Sequence, residues 1–292
     1  PADIKLVLEV VNSDGLVVAS ASEDLSVEAL EEKVSVQKIQ VDHPGLWSPG
    51  SPELYSLRTL VKEGKKILDQ SETSLGIRTV VFDPERGLLL NGEVIKLKGG
   101  CMHHDNGPLG AAAYDRAEER RVELMKASGF NAIRTSHNPP SPGFLDACDR
   151  LGMLVIDEIY DGWFQDSQKK PYYQIEFEQG WPADVRDFVL RDRNHPSVIL
   201  WSTGNEIMDK MAPRAIRAQE EITALFRKLD PSRAVTCGMN EWGHDDWDVV
   251  LESYMAPLDV AGYNYQESTY VVDHDRYPER LIVCSESFPK LA

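Results

Sequence analysis

The chain has 292 residues, and 31 Lys and Arg against 48 Asp and Glu leave a formal charge of −17. That balance excludes nucleic acid as a partner, because duplex affinity comes from basic side chains neutralising phosphates; an anionic membrane surface repels the chain for the same reason. Only 20 glycines and 17 prolines with a hydrophobic fraction of 42% exclude collagen and low-complexity disorder, and no apolar run approaches the roughly 18 residues that cross a bilayer.

At about 150 residues per domain the length predicts two domains. Cys101, Cys148, Cys237 and Cys284 lie far apart with no metal-ligand spacing, so they read as buried free thiols. The chain opens on Pro1 rather than Met, which suggests a piece of a longer protein.

The first domain, residues 1–82, shows short alternating or apolar runs at Ile4–Val11, Leu16–Ala19, Val34–Val41, Tyr55–Val61 and Lys66–Gln70. Turn residues separate them, as in Asn12-Ser13-Asp14-Gly15 and Lys62-Glu63-Gly64-Lys65. Short strands at this spacing predict an antiparallel β-sandwich of immunoglobulin-like type. The acidic stretch Glu23–Lys33 reads as a solvated face or loop.

The second domain, residues 83–292, alternates strands with amphipathic helices. Strands are expected at Val94–Gly99, Asn131–Ser136, Leu154–Ile159, Val198–Ser202, Ala234–Cys237, Val260–Tyr263 and Leu281–Cys284. Helices are expected at Asp115–Ser128, Pro142–Leu151, Pro182–Arg193 and Pro213–Leu229. Asp115 would cap the first with Glu118 three residues on, Gly129 would follow its last turn, and Pro182 would open the third. Repeated strand–helix units require a parallel sheet, and seven strands point to a (β/α)8 barrel. No G-x-G-x-x-G turn follows the first strand, which weakens a dinucleotide fold. About 250 residues make a full barrel and only some 210 remain, so the barrel is expected to lack its part after strand seven. Such a barrel would leave strand edges open, and a homo-oligomer is compatible with that.

Active-site groups of a parallel barrel sit at the carboxyl ends of its strands. Those ends read Met102-His103-His104-Asp105-Asn106, Arg134-Thr135-Ser136-His137-Asn138, Asp157-Glu158, Asn205-Glu206, Asn240-Glu241-Trp242, Tyr263-Asn264-Tyr265 and Ser285-Glu286-Ser287. A histidine such as His104 or His137 also suits a structural role, Arg134 could neutralise a buried carboxylate, and Trp163, Trp181, Trp242 and Trp247 suit packing. Glu206 and Glu286 are different. Each follows an apolar strand, where a carboxylate costs stability unless it is used or paired. Two glutamates at one barrel mouth suit glycosidic hydrolysis, in which one carboxyl protonates the leaving oxygen and the other meets the sugar carbon.

Gly129-Phe130-Asn131-Ala132-Ile133-Arg134-Thr135-Ser136-His137-Asn138-Pro139-Pro140 and Arg193-Asn194-His195-Pro196-Ser197-Val198-Ile199-Leu200-Trp201-Ser202-Thr203-Gly204-Asn205-Glu206 carry a resemblance. So do Leu46-Trp47-Ser48-Pro49 and Gly76-Ile77-Arg78. The sequence resembles glycoside hydrolase family 2, the β-galactosidase, β-glucuronidase and β-mannosidase family. That resemblance implies a retaining, exo-acting enzyme on a β-linked sugar, with Glu206 as acid/base and Glu286 as nucleophile. It further implies that Asn205, His104, His137 and Tyr265 contact substrate or nucleophile, supported by Arg134 and Asp157. Asp157-Glu158-Ile159-Tyr160-Asp161-Gly162-Trp163 lacks the Glu-x-His ligands of the long bacterial β-galactosidases, so neither a metal nor another cofactor is expected. Ser285-Glu286-Ser287-Phe288-Pro289-Lys290 resembles bacterial β-galactosidases more than glucuronidases, which makes a terminal galactoside the expected substrate.

Overall fold

The computed structural model describes residues 2–164, 176–240 and 253–288. Two compact units divide the chain: Pro1–Arg78 with Asn194–Pro196, and Thr79–Arg193 with Ser197–Ala292.

The first unit is built on an antiparallel sheet of β1 (Ala2–Val11), β2 (Val17–Val27), β3 (Tyr55–Glu63) and β4 (Lys66–Leu75), in the order β2-β1-β3-β4. Leu6 opposite Val61 and Val10 opposite Leu57 put apolar side chains on one face, as the period of two requires. On the other face Arg58 lies between Glu9 and Glu72, at 3.4 and 2.9 Å. One sequence expectation changes here and another is made specific. Val34–Val41 forms no strand; it alternates, but no neighbour offers it a ladder, and Val34 and Val36 are exposed. Of the acidic stretch read as a solvated face or loop, Glu23–Val27 extends β2 along the sheet edge, where its charged side chains form such a face.

The second unit begins with a small antiparallel sheet of β5 (Val80–Asp83), β6 (Gly87–Leu90) and β7 (Glu93–Val94). Seven parallel strands follow: β8 (Gly99–Met102), β9 (Ala132–Thr135), β10 (Leu154–Glu158), β11 (Val198–Asn205), β12 (Ala234–Met239), β13 (Ala261–Asn264) and β14 (Ile282–Glu286), bonded in sequence order. Between them lie α1 (Asp115–Ala127), α2 (Pro142–Leu151), α3 (Phe177–Asp192), α4 (Pro213–Leu229) and α5 (Tyr270–Arg276). The sheet curls until its ends approach. Cys101 on β8 donates from Sγ to Ser285 O on β14, at 3.3 Å. The fold is thus a sandwich-type domain followed by an α/β barrel of seven described strands.

The helices bury one face against the strands. α4 buries Ala215, Ala218, Ile222 and Phe226, the three-to-four spacing of one helix side. Ser141 caps α2, accepting from Phe144 N at 3.2 Å, and Gly152 ends it at φ +70°.

Three boundaries differ from the sequence reading. The first barrel strand is Gly99–Met102, not Val94–Gly99: Val94 belongs to the preceding hairpin, and the chain reaches the barrel only at the glycines. Asp115 is the first helical residue, and the extended Tyr114 takes the cap position without a side-chain bond, so Asp115 and Glu118 act on the helix dipole instead. Pro182 lies inside α3 rather than at its start; its fixed φ suits a helix, and the turn before it forms at the cost of the bond its missing N–H would make.

Candidate active site

The site forms where inward-facing residues of β9, β10, β11, β13 and β14 meet. Arg134, on β9, is 3% exposed and touches Glu158, Asn205, Glu286, Ser285 and Cys101. Its Nη2 donates to Glu158 Oε2 at 2.6 Å and to Asn205 Oδ1 at 2.9 Å. Its Nη1 lies 3.2 Å from Glu286 Oε1 and 3.4 Å from Ser285 O. Burial works against the Arg134 charge, but the fields of Glu158, Cys101 and Glu286 outweigh it and raise the pKa.

Glu158 is completely buried, which favours its neutral form; Arg134 and the hydrogen bonds from His137 and Ser202 win, and its pKa falls. Ser202 Oγ donates to Oε2 at 2.6 Å, and His137 Nδ1 stands 2.7 Å from Oε1. A buried carboxylate needs such company. The His137 ring also approaches Glu286, with Nε2 3.5 Å from Oε1.

Asn264 closes the arrangement. Ser285 Oγ donates to its Oδ1 at 2.6 Å, which turns its Nδ2 towards three acceptors. These are Asn205 Oδ1 at 3.0 Å, Glu206 Oε1 at 3.1 Å and Glu286 Oε2 at 3.4 Å. One nitrogen 3.1 Å from one carboxylate oxygen and 3.4 Å from the other limits their separation to about 6.5 Å at most. Tyr265 Oη donates to Glu286 Oε2 at 2.6 Å. That bond, then burial, raises the tyrosine pKa. Glu286 therefore accepts from Tyr265 and Asn264 at Oε2, and its Oε1 lies beside Arg134 and the His137 ring.

Local backbone aims these groups. Asn205 and Asn264 end their strands, and the next residues, Glu206 and Tyr265, take φ of +48° and +60°. Left-handed backbone at a non-glycine residue is strained and concentrates at functional sites. Glu206 is tied by its N–H to Gly238 O at 2.8 Å. A Cβ on Gly238 would stand 2.6 Å from Arg134 Nη2 and 3.1 Å from Asn205 Oδ1, so only glycine leaves room beneath the site.

Of the residues expected from sequence, Glu206, Glu286, Asn205, His137, Tyr265 and Arg134 come together. Two do not. His104 Nε2 faces Pro139 O at 3.0 Å, while its neighbour His103 packs edge-on against His137 with ring centroids 5.0 Å apart. Asp157 points to the outer side of β10, where its Oδ1 accepts from Thr135 Oγ1 at 3.2 Å; the supporting place belongs to Glu158. Successive strand residues face opposite sides, so the inward Arg134, paired with Ile156, selects Glu158. Sequence reasoning missed His103, Glu158 and Asn264 as members of the site. Period-two counting from Arg134 would have found Glu158, and the parallel of Asn205-Glu206 with Asn264-Tyr265 would have found Asn264. Trp163 is a packing residue, 1% exposed, donating to Thr203 O at 2.9 Å. Glu241, Trp242, Trp247, Pro289 and Lys290 lie outside the described residues.

Two cavities open here. One of about 760 Å³ is lined by His103, His137, Tyr160, Asp161, Asp184 and Asp187, among others. The second, of about 700 Å³, includes His103, Cys101, Arg134, Tyr265 and Glu286 in its wall. Among the described residues, no helix is long and apolar enough to cross a membrane.

A parallel barrel with two carboxylates converging at its mouth defines a class, the barrel glycosidases. The comparisons narrow it. The description "Glycosyl hydrolases family 2, TIM barrel domain" matches residues 84–286, and "Glycosyl hydrolases family 2" matches residues 1–78. The chain belongs to glycoside hydrolase family 2. It is 36% identical over 94% of its length to "Beta-galactosidase BoGH2A" of Bacteroides ovatus, covering 36% of that protein. It is 42% identical over 80% of its length to a "Putative beta-glucuronidase" of Formosa agariphila, covering 22% of it. A crystal structure of a glycosyl hydrolase family 2 member from Bacteroides cellulosilyticus superposes with a TM-score of 0.92 at 44% identity, over 98% of this chain and 36% of that one. The chain thus spans about a third or less of the length of these relatives.

Proposed function

We propose that the protein is the catalytic part of a retaining, exo-acting glycoside hydrolase that cleaves terminal β-galactosides. The observation that carries this reading is the Asn264 amide shared between Glu206 and Glu286. Its bound on their separation fits the roughly 5–5.5 Å of retaining enzymes, where no water fits between carboxylate and sugar.

In this reading Glu286 attacks the anomeric carbon. Arg134, Tyr265 and Asn264 offer it positive charge and donated protons, which hold the carboxylate in place while it waits. In this reading Glu206, whose Oε1 accepts from the neutral Asn264 amide, supplies the proton for the leaving oxygen. As the glycosidic bond breaks, Glu206 gives up that proton and Glu286 forms the covalent glycosyl-enzyme. Glu206, now a base, takes a proton from water, and the water oxygen displaces Glu286 with net retention. In this reading Asn205, held by Arg134, bonds the sugar 2-hydroxyl, and His137 and His103 bond other ring hydroxyls.

Sequence favours a galactoside over a glucuronide: Ser285-Glu286-Ser287-Phe288-Pro289-Lys290 resembles the bacterial β-galactosidase pattern, and a relative named as a β-galactosidase is 36% identical over 94% of this chain. Initial rates on aryl β-galactoside and aryl β-glucuronide test this choice. Preference for the glucuronide would overturn the sugar assignment, and hydrolysis of neither would count against the enzyme reading for this chain.

A further inference from the structure

Two histidines and a carboxylate converge at the barrel mouth in a way hydrolysis alone does not require. His137 Nε2 and Glu286 Oε1 stand 3.5 Å apart, and a ring nitrogen of His103 lies within 4.8 Å of both. An ion bound tetrahedrally at about 2.0–2.2 Å holds its ligand atoms about 3.4 Å from one another. The His137–Glu286 pair already has that spacing, and the exposed His103 needs only a side-chain adjustment to join it.

The anchoring of His137 points the same way. Its Nδ1 stands 2.7 Å from Glu158 Oε1, while Glu158 Oε2 is taken by Arg134 and Ser202. With Nδ1 held by Glu158, Nε2 is the ring nitrogen left to meet an ion, and it faces Glu286. A histidine whose far nitrogen is anchored to a carboxylate is also the arrangement that orients metal-binding imidazoles.

We infer that His103, His137 and Glu286 form a binding site for one borderline-soft divalent ion of the Zn²⁺ type, with water completing the tetrahedron. Two imidazole nitrogens and one carboxylate oxygen suit such an ion better than Mg²⁺, which prefers oxygen ligands in an octahedron. Arg134, 3.2 Å from Glu286, opposes the incoming charge and keeps the affinity moderate. His103 lines both cavities, so the ion reaches the site from solvent. The ion is not a cofactor. It occupies the oxygen that attacks the sugar, so it would block turnover reversibly and a chelator would restore it. That inhibitory consequence rests on the proposed hydrolytic function; the binding itself does not.

The test is calorimetric titration of the 292-residue chain with Zn²⁺, with Co²⁺ absorption in the visible as a second readout. The expected result is one ion per chain, with affinity falling at least about tenfold in His103→Ala and in His137→Ala. The visible Co²⁺ bands should weaken in parallel, and His274→Ala, which removes an exposed histidine that belongs to no cluster of ligand groups among the described residues, should leave both readouts unchanged. Wild-type binding weaker than about 1 mM, or equal affinity in wild type and His103→Ala, would overturn the inference. Because His103 is exposed, its variant decides the matter even if His137→Ala fails to fold. A chain that binds Zn²⁺ through these residues yet hydrolyses no glycoside would count against the enzyme reading and leave the ion site standing.

Discussion

Asp157 and Glu158 are neighbours on one strand, both completely buried, and their carboxyl pKa values move in opposite directions. Burial, then the charge of Asp192, pushes Asp157 well up; for Glu158 the same burial is overcome by Arg134, His137 and Ser202. One faces the helices and the other the barrel mouth. A single peptide step separates a carboxyl pushed towards its neutral form from one held towards its ionised form.

That contrast has a pH signature. Asp157 keeps a proton that the unfolded chain loses above about 3.9, so its stabilising effect is full below that pH and is lost as pH rises through its folded value. Asp157→Asn, which needs no proton, should gain thermal stability relative to wild type as pH rises from 4 towards 8. Thermal unfolding at several pH values checks this, and a pH-independent difference would refute it.

Glu158 has the opposite sign. Its contribution is present above about 4.3 and is lost as pH falls through its lowered folded value. Arg134→Met should leave Glu158 buried without its main partner and cost about 3–5 kcal/mol near neutral pH. Denaturant unfolding should show that gap narrowing in acid, where Glu158 takes up a proton.

Glu206→Gln removes the proposed proton donor and leaves Glu286 in place. Substrates with a good phenolate leaving group should still form glycosyl-enzyme but release it slowly, and azide should restore turnover because it needs no base. Equal loss on good and poor leaving groups, without azide rescue, would show that Glu206 is not the acid/base.

Tyr265→Phe and Asn264→Ala each take one donor from Glu286. Each should lower kcat/KM on the order of 10²-fold, the usual effect of removing one pre-positioned donor. Asn264→Asp should be worse than Asn264→Ala despite its matching shape, since it sets a third negative group against two carboxylates. Steady-state kinetics of the three variants tests that order.

Much of this site is legible in the sequence because strand ends announce themselves. Val198–Trp201 is an apolar run that leads to Asn205-Glu206, Ala132-Ile133 leads to Arg134 and His137-Asn138, and a barrel brings all such strand ends to one mouth. What the sequence hides is which side of the strand a residue faces. Asp157 and Glu158 are chemically alike, and only the inward register of Arg134 separates them; His103 and His104 pose the same choice one strand earlier. The first barrel strand is obscure for another reason. Gly99 and Gly100 carry no strand preference, while the apolar Val94–Leu97 before them does, although Val94 closes a separate hairpin. Val34–Val41 shows the converse, an alternating pattern with no partner strand.

The central claim is that Glu286 becomes covalently bound to the sugar. Incubation with a 2-deoxy-2-fluoro-β-galactosyl fluoride, whose fluorine slows the second step, followed by peptide mass spectrometry, tests it directly. The account predicts one added fluorogalactosyl group per chain, on the peptide containing Glu286, and protection by an excess of substrate. A label on Glu206 or Glu158, or hydrolysis of aryl galactoside with no label on Glu286, would contradict it.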